Sequence, residues 1–415
     1  MARRASLVSC ALAATISSAC DGEGGLVYEG TAGEAVSVEL MGMTPTVAGS
    51  IDGAAPVRFL VDTGAPITIL DVDSFPDLTP GPNTVSLDAF GLRFPDYDVA
   101  AWDLFATPPG TLDGIIGGDL LIGFALSVDY RGERAWLGDP FGPALLPGSD
   151  EVEPERTAPV FLLGGGRSQI PTGHLVDVPP TRVIAGLRLE GRMEPIAAVI
   201  DTGATSLVLE ESLLDELGDS ARRPRLGEIT VVTANGPVAG YWTRVYRAGL
   251  EGGDAAPVSD VPVLVIPGTE LFAAISAEVG LPVRAIVGGG LLRYDLTTID
   301  YPAELLRFSR YVSTDHIPVD EFVSVGFTVV DDGAGDWRVD EVYSGTDAFA
   351  EGLLRGESVL RFGDRALAGL SPGEVYGLLS QYVLGDEVPV AVARPGGVAV
   401  LSVLVEDLLP SYLEP

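Results

Sequence analysis

Apolar residues along this chain fall in short runs separated by Gly, Pro, Asn and Asp, the pattern of brief β-strands joined by tight turns. Phe59-Leu60-Val61 and Ala198-Val199-Ile200 are two such runs, and Ser127-Val128-Asp129-Tyr130 and Thr298-Ile299-Asp300-Tyr301 are two more. Residues 229–234 lead into Asn235-Gly236, a hairpin-turn dipeptide, with Tyr241-Trp242 on the predicted return strand. The segment between Val85 and Leu104 has no such turn signal and holds Pro95. From about Pro318 the pattern changes. Strands are predicted at 325–329, 337–339, 358–362, 388–393 and 398–405, with short helices at 344–354 and 371–382.

Composition supports a mostly β chain: 47% of residues are hydrophobic and only 7% aromatic, with 52 Gly and 31 Pro. A length of 415 residues is enough for two or three domains, each with its own core. The formal charge is −34, from 25 basic and 59 acidic residues spread along the chain, so nucleic acid is not an expected partner. Only His174 and His316 could supply imidazole, and they lack ligand spacing, so neither a metal site nor a cofactor is expected. Gly164-Gly165-Gly166 lacks the Lys and Ser/Thr of a phosphate loop and reads as a turn.

The chain opens with Arg3-Arg4, an apolar-to-small run over residues 5–19, then Cys20 and the polar stretch Asp21-Gly22-Glu23-Gly24-Gly25. This resembles a bacterial lipoprotein signal over residues 1–20, which implies lipidation of Cys20 and a membrane anchor in the cell envelope. Ser17 departs from that signal's usual Leu, so a periplasmic or secreted protein is the alternative. Residues 21–35 are expected as a polar linker. Cys10 lies within the signal, so the mature chain has no intramolecular disulfide.

The chain also repeats itself. Asp62-Thr63-Gly64-Ala65 behind one apolar run is echoed by Asp201-Thr202-Gly203-Ala204 behind the other. Downstream, Ile115-Ile116-Gly117 is echoed by Ile286-Val287-Gly288, and the two Asp-Tyr strands follow in the same order. One Asp-Thr-Gly triplet is a weak signal. Two, each with the same surroundings, are a specific one.

On these residues the chain resembles the retropepsin-like and pepsin-like aspartic peptidases, over roughly Val36 to Arg310. The resemblance implies a bilobal fold, two pseudo-twofold related β lobes at 36–150 and 151–312, with residues 139–159 connecting them. It implies a catalytic dyad of Asp62 and Asp201, supported by Thr63, Gly64, Thr202 and Gly203, hydrolysing a peptide or protein substrate with an activated water. Chemistry needs the pair because two close carboxylates cannot both ionise easily, so one serves as base and the other as acid. Asp113 and Asp119 are read as structural. Ala65 and Ala204 stand where pepsin-like enzymes place a hydroxyl, which predicts a milder optimum, about pH 5 to 7. Pro66 lacks the N–H that Thr205 has in the second copy. The hairpin over residues 229–242 is a candidate flap.

The third segment, 318–408, resembles a bacterial PDZ domain, an α+β unit, with Val325-Gly326-Phe327 in the place of the carboxylate-binding loop. That implies a C-terminal peptide as ligand. The expected protein is an exported aspartic endopeptidase with a PDZ-like domain; the alternative is a non-catalytic peptide-binding or scaffold protein that keeps the fold.

Overall fold

The structure, a computed structural model, describes residues 26–104, 112–138, 152–218, 222–233, 236–252, 257–268, 270–331 and 335–412. The signal and Cys20 lie outside these residues.

The first half contains β1 (Val36–Met41), β2 (Thr44–Ile51), β3 (Val57–Val61), β4 (Ile69–Asp71), β5 (Gly81–Ala89), β6 (Leu92–Trp102) and β7 (Gly114–Ile116). After these come α1 (Gly118–Leu121), β8 (Ala125–Asp129) and β9 (Arg134–Gly138). Strands β2, β3, β7, β4, β6 and β5 are neighbours in that order, and β5 pairs back onto β2. The lobe is therefore a closed sheet wrapped around side chains such as Phe59, Leu70, Leu87 and Phe94, all fully buried.

The second half begins with β10 (Arg156–Pro159), β11 (Phe161–Leu163), β12 (Gly166–Gln169), β13 (Leu175–Val178), β14 (Arg182–Leu189) and β15 (Ile196–Ile200). It continues through β16 (Leu207–Glu210), α2 (Glu211–Leu217), β17 (Leu226–Thr233), β18 (Gly236–Leu250), β19 (Val258–Ile266) and α3 (Glu270–Val279). It ends with β20 (Ala285–Val287), α4 (Gly289–Leu292), β21 (Asp295–Asp300) and β22 (Leu305–Arg310). Here β14, β15, β20, β16, β19 and β18 follow one another, and β18 closes onto β14. In each lobe the strand after the triplet, β4 or β16, runs parallel to a long strand, β6 or β19. The protein is thus mostly β and bilobal, with two halves built to one plan.

A sheet of β10, β22, β21, β8, β9 and β1 joins the halves. At its centre β8 and β21 pair antiparallel with Ser127 opposite Thr298, and the two hydroxyls lie 2.7 Å apart. Because these residues match in the repeat, the pseudo-twofold axis passes between them. Two expectations are corrected here. Residues 156–159, read as part of a connection, form the outer strand β10, and residues 26–35, read as a linker, are stitched to the first lobe. Glu29 exchanges both backbone hydrogen bonds with Arg93, at 2.7 and 2.9 Å, and the Tyr28 ring packs on Phe94 and Phe124.

The segment around Pro95 also differs from expectation, since it does make a hairpin. Strands β5 and β6 turn at Phe90-Gly91, both with positive φ (54° and 72°), a two-residue turn with Gly in second place. It is not the partner of the 229–242 hairpin. By its pairings β5–β6 corresponds to β18–β19, so β17 is an addition of the second lobe; in the first lobe residues 72–80 form only turns.

The C-terminal unit contains β23 (Val323–Ser324), β24 (Phe327–Asp331), β25 (Trp337–Val342), α5 (Asp347–Ala350), β26 (Ser358–Phe362) and β27 (Arg365–Ala366). It finishes with α6 (Pro372–Leu379), β28 (Glu387–Arg394), β29 (Gly397–Leu404) and β30 (Glu406–Asp407). It has its own core around Phe327, Val339, Phe362 and Val390. Both helices are shorter than predicted. Thr346 caps α5, which stops after one turn at Gly352 (φ 74°), and Ser371 with Glu374 forms a capping box on α6.

This unit is fastened to the second lobe beside β17 and β18. Trp242 of β18 meets Phe322 edge-on at 5.4 Å, and Arg244 donates from Nε to the Leu409 carbonyl at 2.9 Å. The Tyr412 N–H donates to Asp260 at 2.8 Å while its ring lies under the Arg223 guanidinium, 4.8 Å away. Buried Arg293 adds an ion pair to Glu321 at 2.6 Å.

Candidate active site

Each triplet sits at the end of a strand, where the chain must leave the sheet and turn. Asp62 follows β3 and donates its N–H to the Ile116 carbonyl at 3.0 Å; Asp201 follows β15 and donates to Val287 at 2.9 Å. The two apolar-apolar-Gly elements therefore lie directly beside the triplets, as β7 parallel to β3 and β20 parallel to β15. Next, Gly118 donates to Ala65 and Gly289 to Ala204, both at 2.8 Å, which fastens each turn from the far side.

Across the axis the triplets grip each other. The Thr63 N–H donates to Thr202 Oγ1 and the Thr202 N–H to Thr63 Oγ1, both at 3.1 Å. In return the Thr63 hydroxyl donates to the Ile200 carbonyl at 2.8 Å, and the Thr202 hydroxyl to Val61 at 2.6 Å. Both threonines are buried, so these four bonds run between lobes without competition from water.

The glycines are needed for close approach. A Cβ on Gly64 would lie 2.4 Å from the Asp201 carboxylate, and one on Gly203 would lie 2.3 Å from that of Asp62. Each aspartate thus faces the other triplet's glycine, which brings the two carboxylates together across the axis. Asp62 accepts N–H bonds from Gly64 and Ala65 at 2.7 and 3.0 Å; Asp201 accepts from Ala204 at 3.0 Å and from the Gly203 N–H. Burial, then the neighbouring Asp62 charge, pushes the Asp201 carboxyl well above the usual carboxylate range; Arg182 and the Gly203 N–H pull the other way without prevailing. Tyr130 and Tyr301, at matching places in the two halves, are buried, and burial together with the Asp201 charge pushes both hydroxyls up.

Pro66 removes less than its chemistry suggested. Its carbonyl still accepts the Asp119 N–H at 3.1 Å, as the Thr205 carbonyl accepts that of Gly290 at 2.9 Å. The flanking acids have backbone or local partners: Asp113 accepts the Arg58 N–H at 2.8 Å, and Asp119 accepts the Thr68 hydroxyl at 2.8 Å. Burial pushes the Asp119 carboxyl up.

The predicted 229–242 hairpin forms as β17 and β18, paired from Leu226 opposite Trp242 to Thr233 opposite Gly236; Ala234 and Asn235 lie outside the described residues. In the C-terminal unit, Val325 and Phe327 point into the core, and Gly326 has φ 77° with its carbonyl bonded to the Tyr343 N–H at 2.9 Å. All three residues of this loop are buried, and the Thr346 side chain packs against Gly326. The strand after it, β24, is at the edge of its sheet. Among the described residues no cluster of His, Cys, Asp or Glu could hold a metal ion, and no helix is long and apolar enough to cross a membrane.

Arg182 was marked by no motif. It stands at the start of β14 and donates from Nη1 to the Gly64 carbonyl and from Nε to Glu278 of α3 at 2.8 Å.

Residues 185–295, which include the second triplet, match the model of a family described as Aspartyl protease. The aspartic proteinase from Irpex lacteus is similar in structure at a TM-score of 0.41 and 15% identity, over 68% of this chain and 99% of that one. No curated protein matches the chain in sequence.

Proposed function

We propose that the protein is an aspartic endopeptidase whose water is activated by Asp62 and Asp201. The observation that carries this reading is the mutual approach of the triplets: each carboxylate lies against the opposite glycine, across the axis between the lobes. The family match over 185–295 supports peptidase chemistry for the second half.

In this reading the pair holds one shared proton, and with that proton on Asp201 the ionised Asp62 is the base; backbone N–H groups hold both carboxylates. Asp62 takes a proton from water as its oxygen attacks the scissile carbonyl, and Asp201 gives its proton to the carbonyl oxygen. Collapse of the diol then returns a proton to Asp201, while Asp62 passes its own to the leaving nitrogen and the C–N bond breaks. No covalent intermediate or metal is needed. Ala65 and Ala204 contribute backbone N–H groups but no hydroxyl, in keeping with an optimum of about pH 5 to 7. The β17–β18 hairpin is the proposed flap, which would exclude water over the substrate.

The C-terminal unit is proposed to be PDZ-like. A left-handed glycine before an edge strand suits a peptide that adds to β24 and offers its carboxylate to the loop. Export, with a lipid on Cys20, belongs to the same proposal; the mass of the mature N-terminal peptide tests it.

Cleavage of a peptide library by the purified protein, lost in both Asp62→Asn and Asp201→Asn, tests the central reading. Activity that survives either substitution would place the chemistry elsewhere, and no activity at all would favour the non-catalytic binding protein.

A further inference from the structure

The two lobes repeat one plan, so a residue that differs between matching positions beside the dyad is informative. Thr46 faces Leu60 in the first lobe as Ile184 faces Val199 in the second, and this register sets Thr44 against Arg182. The match is supported one residue earlier. A Cβ on Gly118 would strike Thr181, and one on Gly289 would strike Met43, at 2.4 and 2.1 Å.

The two positions behave differently. Thr44 is buried and turns its hydroxyl to the Met41 carbonyl, 2.7 Å away on its own lobe. Arg182 crosses to the other lobe and donates to the carbonyl of Gly64, the residue that touches Asp201. Its guanidinium is held by Glu278 at 2.8 Å, and the two side chains keep 18% and 31% of their surface in solvent. Room for the pair comes from the triple-glycine turn: a Cβ on Gly164 would lie 3.0 Å from Glu278 Oε1 and 3.5 Å from Arg182 Cγ. One side of the dyad therefore carries a fixed, part-exposed cation, and the matching place on the other side carries a short neutral residue.

We propose that Arg182 determines substrate specificity, selecting peptides with an acidic side chain on the residue that lies along the Gly64 side of the cleft. This rests on the peptidase reading above. A guanidinium has five N–H donors in a rigid fork. Its contacts here use Nε and Nη1, and the Nη2 edge is suited to a carboxylate. Glu278 fixes the orientation of the fork, so the binding edge does not have to be ordered when substrate arrives.

The test uses one peptide that the wild type cleaves, made with Glu, Gln or Lys in turn at each position flanking the scissile bond. At one position on one side, kcat/KM should favour Glu over Gln by about tenfold, the lower end of what a charged hydrogen bond contributes, with the difference in KM. Arg182→Gln should bring that ratio to about one, and Arg182→Glu should invert it in favour of Lys. A strut between lobes would instead lower all three peptides alike, and a ratio unchanged in Arg182→Gln overturns the proposal. Fluorescence anisotropy of the same peptides separates the two readings. Glu-selective binding that vanishes in Arg182→Gln, with no turnover in the wild type, would keep the specificity and remove the peptidase; no charge dependence in either assay overturns the specificity.

Discussion

Thr202→Val keeps the shape of the side chain and removes only the hydroxyl that crosses between lobes. Two buried groups then lose their partner: the Thr63 N–H, which donates to Thr202 Oγ1 at 3.1 Å, and the Val61 carbonyl, which accepts from it at 2.6 Å. Thr63 and Thr202 are each 1% exposed, so water cannot replace these bonds without opening the lobe interface. Leaving a buried group unpaired costs about 1 to 3 kcal/mol, so the pair costs about 2 to 5 kcal/mol after some relaxation. For a unit of this size that lowers Tm by roughly 3 to 9 °C. Calorimetry on the wild type, Thr202→Val and Thr202→Ser is the assay, and Ser, which keeps the hydroxyl, should recover most of the loss. A Thr202→Val protein that melts within about 1 °C of the wild type would refute the claim that these bonds hold the lobes together.

Further outcomes follow from the same site. Because the Asp201 carboxyl is pushed up by burial and by Asp62, the folded chain holds that proton more firmly than the unfolded chain, so stability is full in acid and is lost as pH rises through the folded value. Asp201→Asn should therefore gain in melting temperature over the wild type by more at about pH 7 than at about pH 4, and a gap that narrows on raising pH contradicts the shift. Gly64→Ala places a methyl 2.4 Å from the Asp201 carboxylate and should lower kcat by about a hundredfold or more, because an ångström of displacement at a reacting group is enough for that. Its secondary structure should stay native by circular dichroism; unimpaired turnover would show that the carboxylates do not need this approach. Removal of residues 409–415 takes away the Leu409 and Tyr412 contacts to Arg244 and Asp260, so hydrogen exchange in β17 and β18 should speed up, while that in β5 and β6 should not.

What the sequence disclosed and what it hid have a common cause. Asp62-Thr63-Gly64 and Ile115-Ile116-Gly117 are legible because each residue is fixed by backbone geometry within a few ångströms, and the repeat supplies an internal control. The Phe90-Gly91 turn is hard to read because Phe at a positive φ is not a turn signature and only Gly91 marks it. Residues 26–35 follow a polar Gly-rich stretch and 156–159 a Pro- and acid-rich one, and it is long-range contact, with Arg93, Phe94 and Phe124 in one case and β22 in the other, that makes them structural. Arg182 precedes its triplet by a whole hairpin, β14 and β15, so no local pattern marks it. Comparing the two halves position by position, with Thr44 as the counterpart, was the one signal that could have found it.

Beyond the flap role proposed for it, the extra strand β17 has a second consequence. Two identical lobes related by a twofold axis offer a peptide two equivalent directions of entry, and an extended chain, which has no such symmetry, would bind either way round. Carrying both halves on one polypeptide lets each drift separately, and here only one has gained a third strand to its hairpin. On the proposed reading, a peptide laid across the axis would meet a covered half and an open half. Its amino and carboxyl ends become distinguishable, and the cleft acquires a reading direction that neither triplet could give it.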